Sequence, residues 1–286
     1  MNQLLADNKV ATLRSYLTDK LQTCYDSREA GNLVHELFEA FHGWSRSDVV
    51  LHASSRLGES ELLKYHFALK RLLQGEPLQY VLGSAWFLGM KLRVDKNVLI
   101  PRPETEELVR LVVDCNTLSN PRILDIGTGS GCIALALKKL IPGAEVTAVD
   151  ISNEALSVAT INAANLQLNI EFEHLDILSS KPKRTFDIIV SNPPYIPQHE
   201  QATMSSRVTE HEPHLALFTA DEDALVFYRR LMDLSEETLA QGGHVFCEIH
   251  ENMADELLKL AGNYTIHNPT ILPDLQGKSR MIYWRI

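Results

Sequence analysis

At 286 residues, 45% of them hydrophobic and 22% charged, the chain has the makeup of a soluble globular protein with ample apolar material for a core. Its net charge of −10 falls entirely in residues 76–286, with 18 Lys/Arg against 28 Asp/Glu, whereas residues 1–75 balance at 9 and 9. This leaves no electrostatic footprint for duplex nucleic acid, and no run approaches the ~18–20 apolar residues of a membrane span. The first twenty residues lack a signal-peptide core. Cys24, Cys115, Cys132 and Cys247 form no C-x-x-C pair, so neither a zinc site nor a disulfide framework is indicated. The expectation is a cytoplasmic chain with a protein partner, without direct nucleic acid, membrane or metal contact.

Residues 1–75 read as a helical bundle. Val10, Leu13, Leu17 and Leu21 recur at helical spacing, and Ser27 is the expected N-cap of a second helix carrying Leu33, Leu37 and Phe41, closed by Gly43. A short segment follows around Asp48 to Ser55. Ser60 is the expected cap of a helix running to Gly75. His35, His42, His52 and His66 are scattered at helical positions as satisfied or solvent-facing residues. Residues 76–103 then read as a β-hairpin linker, with strand-like runs at Gln79–Gly83 and Trp86–Val94 punctuated by glycine. Two prolines, Pro101 and Pro103, fix an extended approach to a helix starting at Thr105.

Residues 104–286 alternate between strand and helix. Strands are predicted at Ile123–Ile126, Glu145–Asp150, Ile170–His174, Phe186–Ser191 and His244–Ile249, with two more at Tyr264–Ile271 and Arg280–Ile286. Helices are predicted over Cys132–Leu140, Glu154–Asn165, Ala224–Leu239 and Asn252–Ala261. This pattern predicts an α/β fold with an open, mainly parallel sheet covered by helices on both faces. Ligands in such sheets bind beyond the carboxyl ends of the strands, where Asp125, Asp150, Asp176 and Asn192 all fall.

Gly127-x-Gly129-x-Gly131 differs from the G-x-G-x-x-G of dinucleotide loops, because its third glycine comes one residue early. It also follows Asp125, whose negative charge suits a cationic or amino-bearing ligand better than a pyrophosphate. Asp150 closes the next strand, where a carboxylate accepts hydrogen bonds from ribose hydroxyls. A ligand with a ribose, a positive centre and no phosphate is S-adenosyl-L-methionine.

Ser191-Asn192-Pro193-Pro194-Tyr195 ends the run Phe186–Val190. Each proline holds its predecessor in extended geometry and lacks an N–H, which leaves a rigid ledge of acceptors. A planar –NH2 group needs two acceptors, and the Asn192 side-chain oxygen and the Pro193 carbonyl can supply them. Tyr195 is spaced to lay its ring on a flat substrate. The plainer alternative is a strand-ending turn with Tyr195 as core filler. The long loop beyond carries His199, His211 and His214 at no zinc spacing, and reads as a segment covering the substrate.

Leu124-Asp125-Ile126-Gly127-Thr128-Gly129-Ser130-Gly131, with Asp150 and Asn192-Pro193-Pro194-Tyr195, resembles the class I S-adenosylmethionine-dependent methyltransferases acting on planar amino nitrogens. Residues 100–106 (IPRPETE), Glu212-Pro213 and the ending 274–280 (DLQGKSR) make the whole chain similar to the HemK/PrmC family within them. The resemblance implies a Rossmann-like, mainly parallel seven-stranded sheet preceded by a substrate-recognising helical domain. It implies methyl transfer to the glutamine N5 of the Gly-Gly-Gln motif in peptide-chain release factors. It also places Asp125, Gly127, Thr128, Gly129, Ser130, Gly131, Asp150, Ile177 and Asn192 around the cofactor. Asn192, Pro193 and Tyr195 would be catalytic, and with Pro194 would hold the substrate amide. The Asn-Pro-Pro-Tyr motif alone leaves open a ribosomal-protein glutamine or an N6-adenine in DNA as target. A module that only senses the cofactor is a further alternative, though it would not need the ledge.

Overall fold

The computed structural model describes residues 7–221 and 223–286, and the described chain divides after Gly83 into two compact units. The first is helical: α1 (Val10–Leu21), α2 (Ser27–His42), α3 (Arg46–Leu51), α4 (Glu59–Leu73) and α5 (Leu78–Leu82). Leu13, Leu17, Leu37, Phe38, Tyr65 and Leu69 are among the side chains that form its core. Three local expectations are corrected. Asp26, not Ser27, caps α2, its carboxylate accepting from the Arg28 and Glu29 N–H groups at 2.8 Å each. The buried face of α2 is Ala30, Val34, Leu37 and Phe38, while Leu33 and Phe41 pack at its margin. At α4 the Glu61 carboxylate accepts from the Gly58 N–H at 2.7 Å, so the helix begins before Ser60.

Residues 79–83, expected as a strand, fall instead in α5 and its closing Gly83. Arg71 explains the difference. Its guanidinium grips the Glu76 carboxylate through two bonds and donates to the carbonyls of Tyr80 and Val81 at 2.9 and 3.1 Å. Carbonyls in the last turn of a helix lack the usual intrahelical partner; Val81 receives Arg71 from α4, and Tyr80 receives it beside the Gly83 N–H. Gly83, at φ 67°, ends the helix. His42, Trp44 and His52 stack in series at 4.3 and 4.5 Å between ring centroids, so two of the scattered histidines serve packing.

The second unit opens on a hairpin of β1 (Ser84–Phe87) and β2 (Met90–Arg93). Helix α6 (Pro103–Cys115) follows, starting at Pro103 rather than Thr105 because proline suits a first helical position. Then come β3 (Arg122–Ile126), α7 (Cys132–Leu140), β4 (Glu145–Asp150), α8 (Asn153–Leu166), β5 (Glu171–His174) and β6 (Phe186–Ser191). The loop after β6 contains β7 (Ile196–Pro197), α9 (Ser206–Thr209), α10 (His214–Leu217) and β8 (Phe218–Thr219). The chain ends with α11 (Val226–Thr238), β9 (Leu239–Glu248), α12 (Ala254–Ala261), β10 (His267–Pro273) and β11 (Ser279–Arg285).

Seven strands form one sheet in the order β10-β11-β9-β6-β3-β4-β5. Pairs from β5 through β9 are parallel, and β11 runs antiparallel between β9 and β10. Side chains alternate across the sheet, as strand geometry requires. Ile123, Ile188, Val190 and Phe246 face a core shared with α6 and α7, whereas Leu124, Ile189, Val245 and Trp284 face one shared with α11 and α12. Strand β9 begins five residues earlier than its apolar run, because Leu239 pairs with Phe186 ahead of a register shift. At that shift only glycine fits position 243: a Cβ there would lie 2.8 Å from the Ala240 carbonyl oxygen and 3.0 Å from that of Asp187. Among the described residues, no helix is long and apolar enough to cross a membrane.

Replacing the α2 cap should separate the two candidate residues. Asp26→Ala is expected to destabilise the protein by about 1 kcal/mol, and Ser27→Ala to stay within about 0.5 kcal/mol, in denaturant unfolding. Equal effects would return the cap to Ser27.

Candidate active site

The chain leaves β3 for β4 and β5 on one side, then returns to β6 on the other. β3 and β6 are therefore neighbours whose outgoing loops diverge, which opens a crevice at their carboxyl ends. Ile126 pairs with Ser191, and the Ser191 hydroxyl donates to the Ile126 carbonyl at 2.8 Å. Gly127 and Asn192 thus leave the sheet side by side, and both line the cleft.

The glycine loop is bent through left-handed geometry at Gly127, Gly129 and Gly131, with φ of 72°, 55° and 82°. The N–H groups of Gly127 and Thr128 both donate to the Val149 carbonyl, at 2.9 and 3.1 Å. Gly131 has a second reason to be glycine, because a Cβ would press to 3.2 Å against both Ala159 and Leu135. The buried Asn162 on α8 completes the frame. Its amide donates to the Ser130 carbonyl at 2.9 Å and to the Arg93 carbonyl at 3.0 Å, and accepts from the Arg93 N–H at 2.7 Å. Asn162 is marked in the sequence only as a polar residue among the small residues of α8.

Asp125 lies fully buried behind this loop. One carboxylate oxygen accepts from the Thr128 hydroxyl at 2.7 Å and the Ala134 N–H at 3.2 Å. The other, like the Ser130 hydroxyl, has no hydrogen-bond partner among the described residues. Burial pushes the Asp125 carboxyl up to about 7 against the pull of those donors. Asp150 accepts from Gly129 N–H and Ser152 N–H, at 2.9 Å each, and burial raises its pKa too. Each of its oxygens keeps a further lone pair for a ligand hydroxyl. Ile177 is buried and adds an apolar wall to the cleft.

Asn192, Pro193 and Pro194 line the cleft, and Thr105 of α6 joins them. Asn192 Nδ2 donates to Thr105 Oγ1 at 3.2 Å. The Thr105 hydroxyl donates in turn to Glu248 Oε2 at 2.7 Å, and the Tyr195 hydroxyl to Glu248 Oε1 at 3.0 Å. Thr105 and Glu248 are each only 2% exposed, so these bonds form without competition from water. Burial raises the Glu248 pKa, opposed by the two hydroxyl donors and by Arg280. Tyr195 is outside the set of cleft-lining residues; its ring meets His250 edge-on at 6.0 Å. Glu248 was not anticipated, and its signal was a carboxylate within the apolar run of β9.

The loop after Tyr195 is tied down rather than open. β7 and β8 pair in parallel, and His199 is held by Asp221 through its N–H at 2.8 Å and its ring at 2.9 Å. The buried Glu212 accepts from Arg102 at 2.5 Å and from the Ile100 N–H at 3.1 Å, joining the loop to the Pro101-Arg102-Pro103 segment. Among the described residues, no three His, Cys, Asp or Glu side chains gather as a metal site. Glu212→Ala should release this clasp, costing about 1.5–3 kcal/mol as hydrogen bonds to a charged group are lost. Limited proteolysis within residues 198–211 is then expected to accelerate about tenfold or more. An unchanged cleavage rate would show that the clasp does not hold the loop.

Residues 108–254 match the family model described as the methyltransferase small domain, and residues 12–83 match that of the PrmC N-terminal domain. A release factor glutamine methyltransferase from Flavobacterium psychrophilum is 40% identical over 278 residues, covering 96% of this chain and 98% of that one. Another so named, from Bacteroides thetaiotaomicron, is 38% identical over 272 residues, covering 94% of this chain and 98% of its own. Among solved structures, a methyltransferase from Pyrococcus furiosus shares the fold at 16% identity and a TM-score of 0.51, covering 76% of this chain and 96% of that one. The mainly parallel seven-stranded sheet is the class I S-adenosylmethionine-dependent methyltransferase fold. With one family model on each unit and relatives matched over nearly their whole length, the chain belongs to the release factor glutamine methyltransferase family.

Proposed function

We propose that this protein transfers a methyl group from S-adenosyl-L-methionine to the side-chain amide N5 of a glutamine, the one in the Gly-Gly-Gln motif of a peptide-chain release factor. The observation that carries the reading is the Asn192 amide at the mouth of the cleft. Its nitrogen is committed to Thr105, and no described group donates to its oxygen or to the Pro193 carbonyl. Two free acceptors on consecutive residues match in number the two hydrogens of a primary amide.

Gly127, Thr128, Gly129, Ser130, Gly131, Asp150 and Ile177 would hold S-adenosyl-L-methionine, with Asp125 behind them. The residues fit such a group. A buried carboxylate oxygen lacking a donor favours a cationic ligand at the loop in front of it, and Asp150 has lone pairs free for ribose hydroxyls. The cofactor supplies an electrophilic methyl on a positively charged sulfur.

An amide nitrogen is a poor nucleophile, because its lone pair is delocalised into the carbonyl. Asn192 and Pro193 fix its orientation and stabilise the positive charge it gathers in the transition state. Positioning of this kind contributes on the order of 7–11 kcal/mol in favourable cases. Glu248, the carboxylate linked to the ledge through Thr105, already accepts from Thr105 and Tyr195, so the surplus proton is assigned to water. Tyr195 contributes through Glu248 rather than as a wall of the cleft.

The charge of residues 76–286 opposes approach to a phosphate backbone, which favours a protein target over DNA. Glycines beside the target glutamine would let its backbone enter a narrow slot. The neutral helical unit is assigned to contact with the folded body of the factor, in the cytoplasm.

Mass spectrometry of a release factor incubated with enzyme and S-adenosyl-L-methionine should show one added methyl on that glutamine. An unmodified factor together with methylated adenine in treated DNA would refute the reading.

Cofactor affinity should depend on pH through Asp125. Its folded pKa is raised, so its contribution to apo stability is present at low pH and lost as pH rises through about 7. A cationic ligand favours the ionised carboxylate and reverses that preference. Calorimetry should therefore show S-adenosyl-L-methionine binding about five- to tenfold tighter at pH 7.5 than at pH 6. A flat or inverted profile would remove Asp125 from the binding equilibrium.

A further inference from the structure

We infer that Thr105 and Glu248 are positioning residues that set the polarity of the Asn192 amide, so that its oxygen and not its nitrogen faces the substrate. The inference rests on Asn192 being the group that orients the substrate.

An asparagine amide can be turned end for end with little change in shape, and the two orientations present opposite chemistry. With the oxygen towards the cleft, Asn192 accepts from a substrate –NH2; with the nitrogen there, donor meets donor. Nothing in Asn192 itself decides between them. The decision comes from further back.

Glu248 is buried, and both of its oxygens receive a hydroxyl donor, from Thr105 at 2.7 Å and Tyr195 at 3.0 Å. A threonine hydroxyl has one hydrogen. Given to Glu248, that hydrogen leaves Thr105 Oγ1 only as an acceptor, and the Asn192 Nδ2 at 3.2 Å is the donor that meets it. The two bonds run in one direction, from the Asn192 amide to Thr105 and on to the carboxylate, whose other oxygen is occupied by Tyr195. Reversing Asn192 would require Thr105 to donate to it, stripping a buried carboxylate oxygen of its donor. Thr105 comes from α6 and Glu248 from the end of β9, so two elements outside the Asn-Pro-Pro-Tyr motif specify how that motif works.

Glu248→Gln keeps the shape of residue 248 but introduces an NH2 group that can donate to Thr105, which lets the chain of bonds run backwards. Thr105→Val keeps the shape of residue 105 and removes the hydroxyl, whereas Thr105→Ser keeps the hydroxyl and removes the methyl. A packing role would favour Val over Ser; a polarity role favours Ser over Val. Steady-state kinetics on a release factor, with S-adenosyl-L-methionine affinity measured by calorimetry, should show kcat falling about 100-fold in Glu248→Gln and Thr105→Val. Cofactor affinity should be unchanged, and Thr105→Ser should keep activity within about threefold. The Thr105→Val/Glu248→Gln double variant should be no worse than either single one, as members of one chain of bonds are not additive. If Glu248→Gln does not fold, the Ser-against-Val comparison carries the test alone. Asn192→Ala distinguishes the two ways of failing. An active Asn192→Ala would remove the underlying reading, whereas an inactive Asn192→Ala beside an active Thr105→Val, or a Thr105→Ser as poor as Thr105→Val, would overturn the polarity inference.

Discussion

The parallel pairing of β3 with β6 is the constraint on which the rest of this structure depends. It joins segments more than sixty residues apart in sequence, from Ile123 against Ile188 to Ile126 against Ser191. That register decides which side chains enter each of the two cores, because a slip of one residue would exchange the faces of the sheet. It also brings the glycine loop and the Asn-Pro-Pro-Tyr ledge out of the sheet at the same height. In the proposed function the loop holds the cofactor and the ledge the substrate, and on distant strands the two could not share a reacting atom. The Ser191 hydroxyl on the Ile126 carbonyl fastens the pairing at its functional end.

Around that pairing the molecule buries polar groups that an ordinary core would exclude. Asp125, Thr105, Asn162, Glu212 and Glu248 are all buried, and all sit within or beside the cleft. Asn162, Glu212 and Glu248 each join segments far apart in sequence. Buried polar groups cost stability unless paired, so these bonds hold loops in one arrangement. Asp125 is the exception. Its second oxygen has no described partner, and its raised pKa records the cost of holding a charge there. An unpaired group in the middle of a well-paired framework marks the place where a ligand has something to supply.

The strands of the sheet and the helices that cover it were legible because their signals are local: alternating runs, a glycine loop, a proline-ended strand. Helix α7 and strand β4 fall on their predicted bounds. The glycine loop, Asp150 and the ledge were legible from spacing and chemistry, Ile177 only through the family resemblance, and the fold gathers them along one cleft. Helix α5 was misread because its local sequence is β-branched and aromatic, while the guanidinium that satisfies its carbonyls sits on α4. Glu248, Asn162 and Glu212 were not legible as site residues, since their meaning lies in partners 143, 32 and 112 residues away. Tyr195 differs from the flat-ring expectation in what can be seen of it: its hydroxyl is held by Glu248, a partner 53 residues away that the motif does not contain.

The central claim is that the ledge accepts both hydrogens of a substrate amide. The most direct measurement is a crystal structure of the protein with S-adenosyl-L-homocysteine, the demethylated cofactor, and a peptide containing Gly-Gly-Gln. The glutamine amide nitrogen is expected within about 3 Å of both Asn192 Oδ1 and the Pro193 carbonyl oxygen, with the cofactor sulfur on its other side. A glutamine bound with its carbonyl oxygen against Asn192, or held away from residues 192–193 altogether, would contradict it.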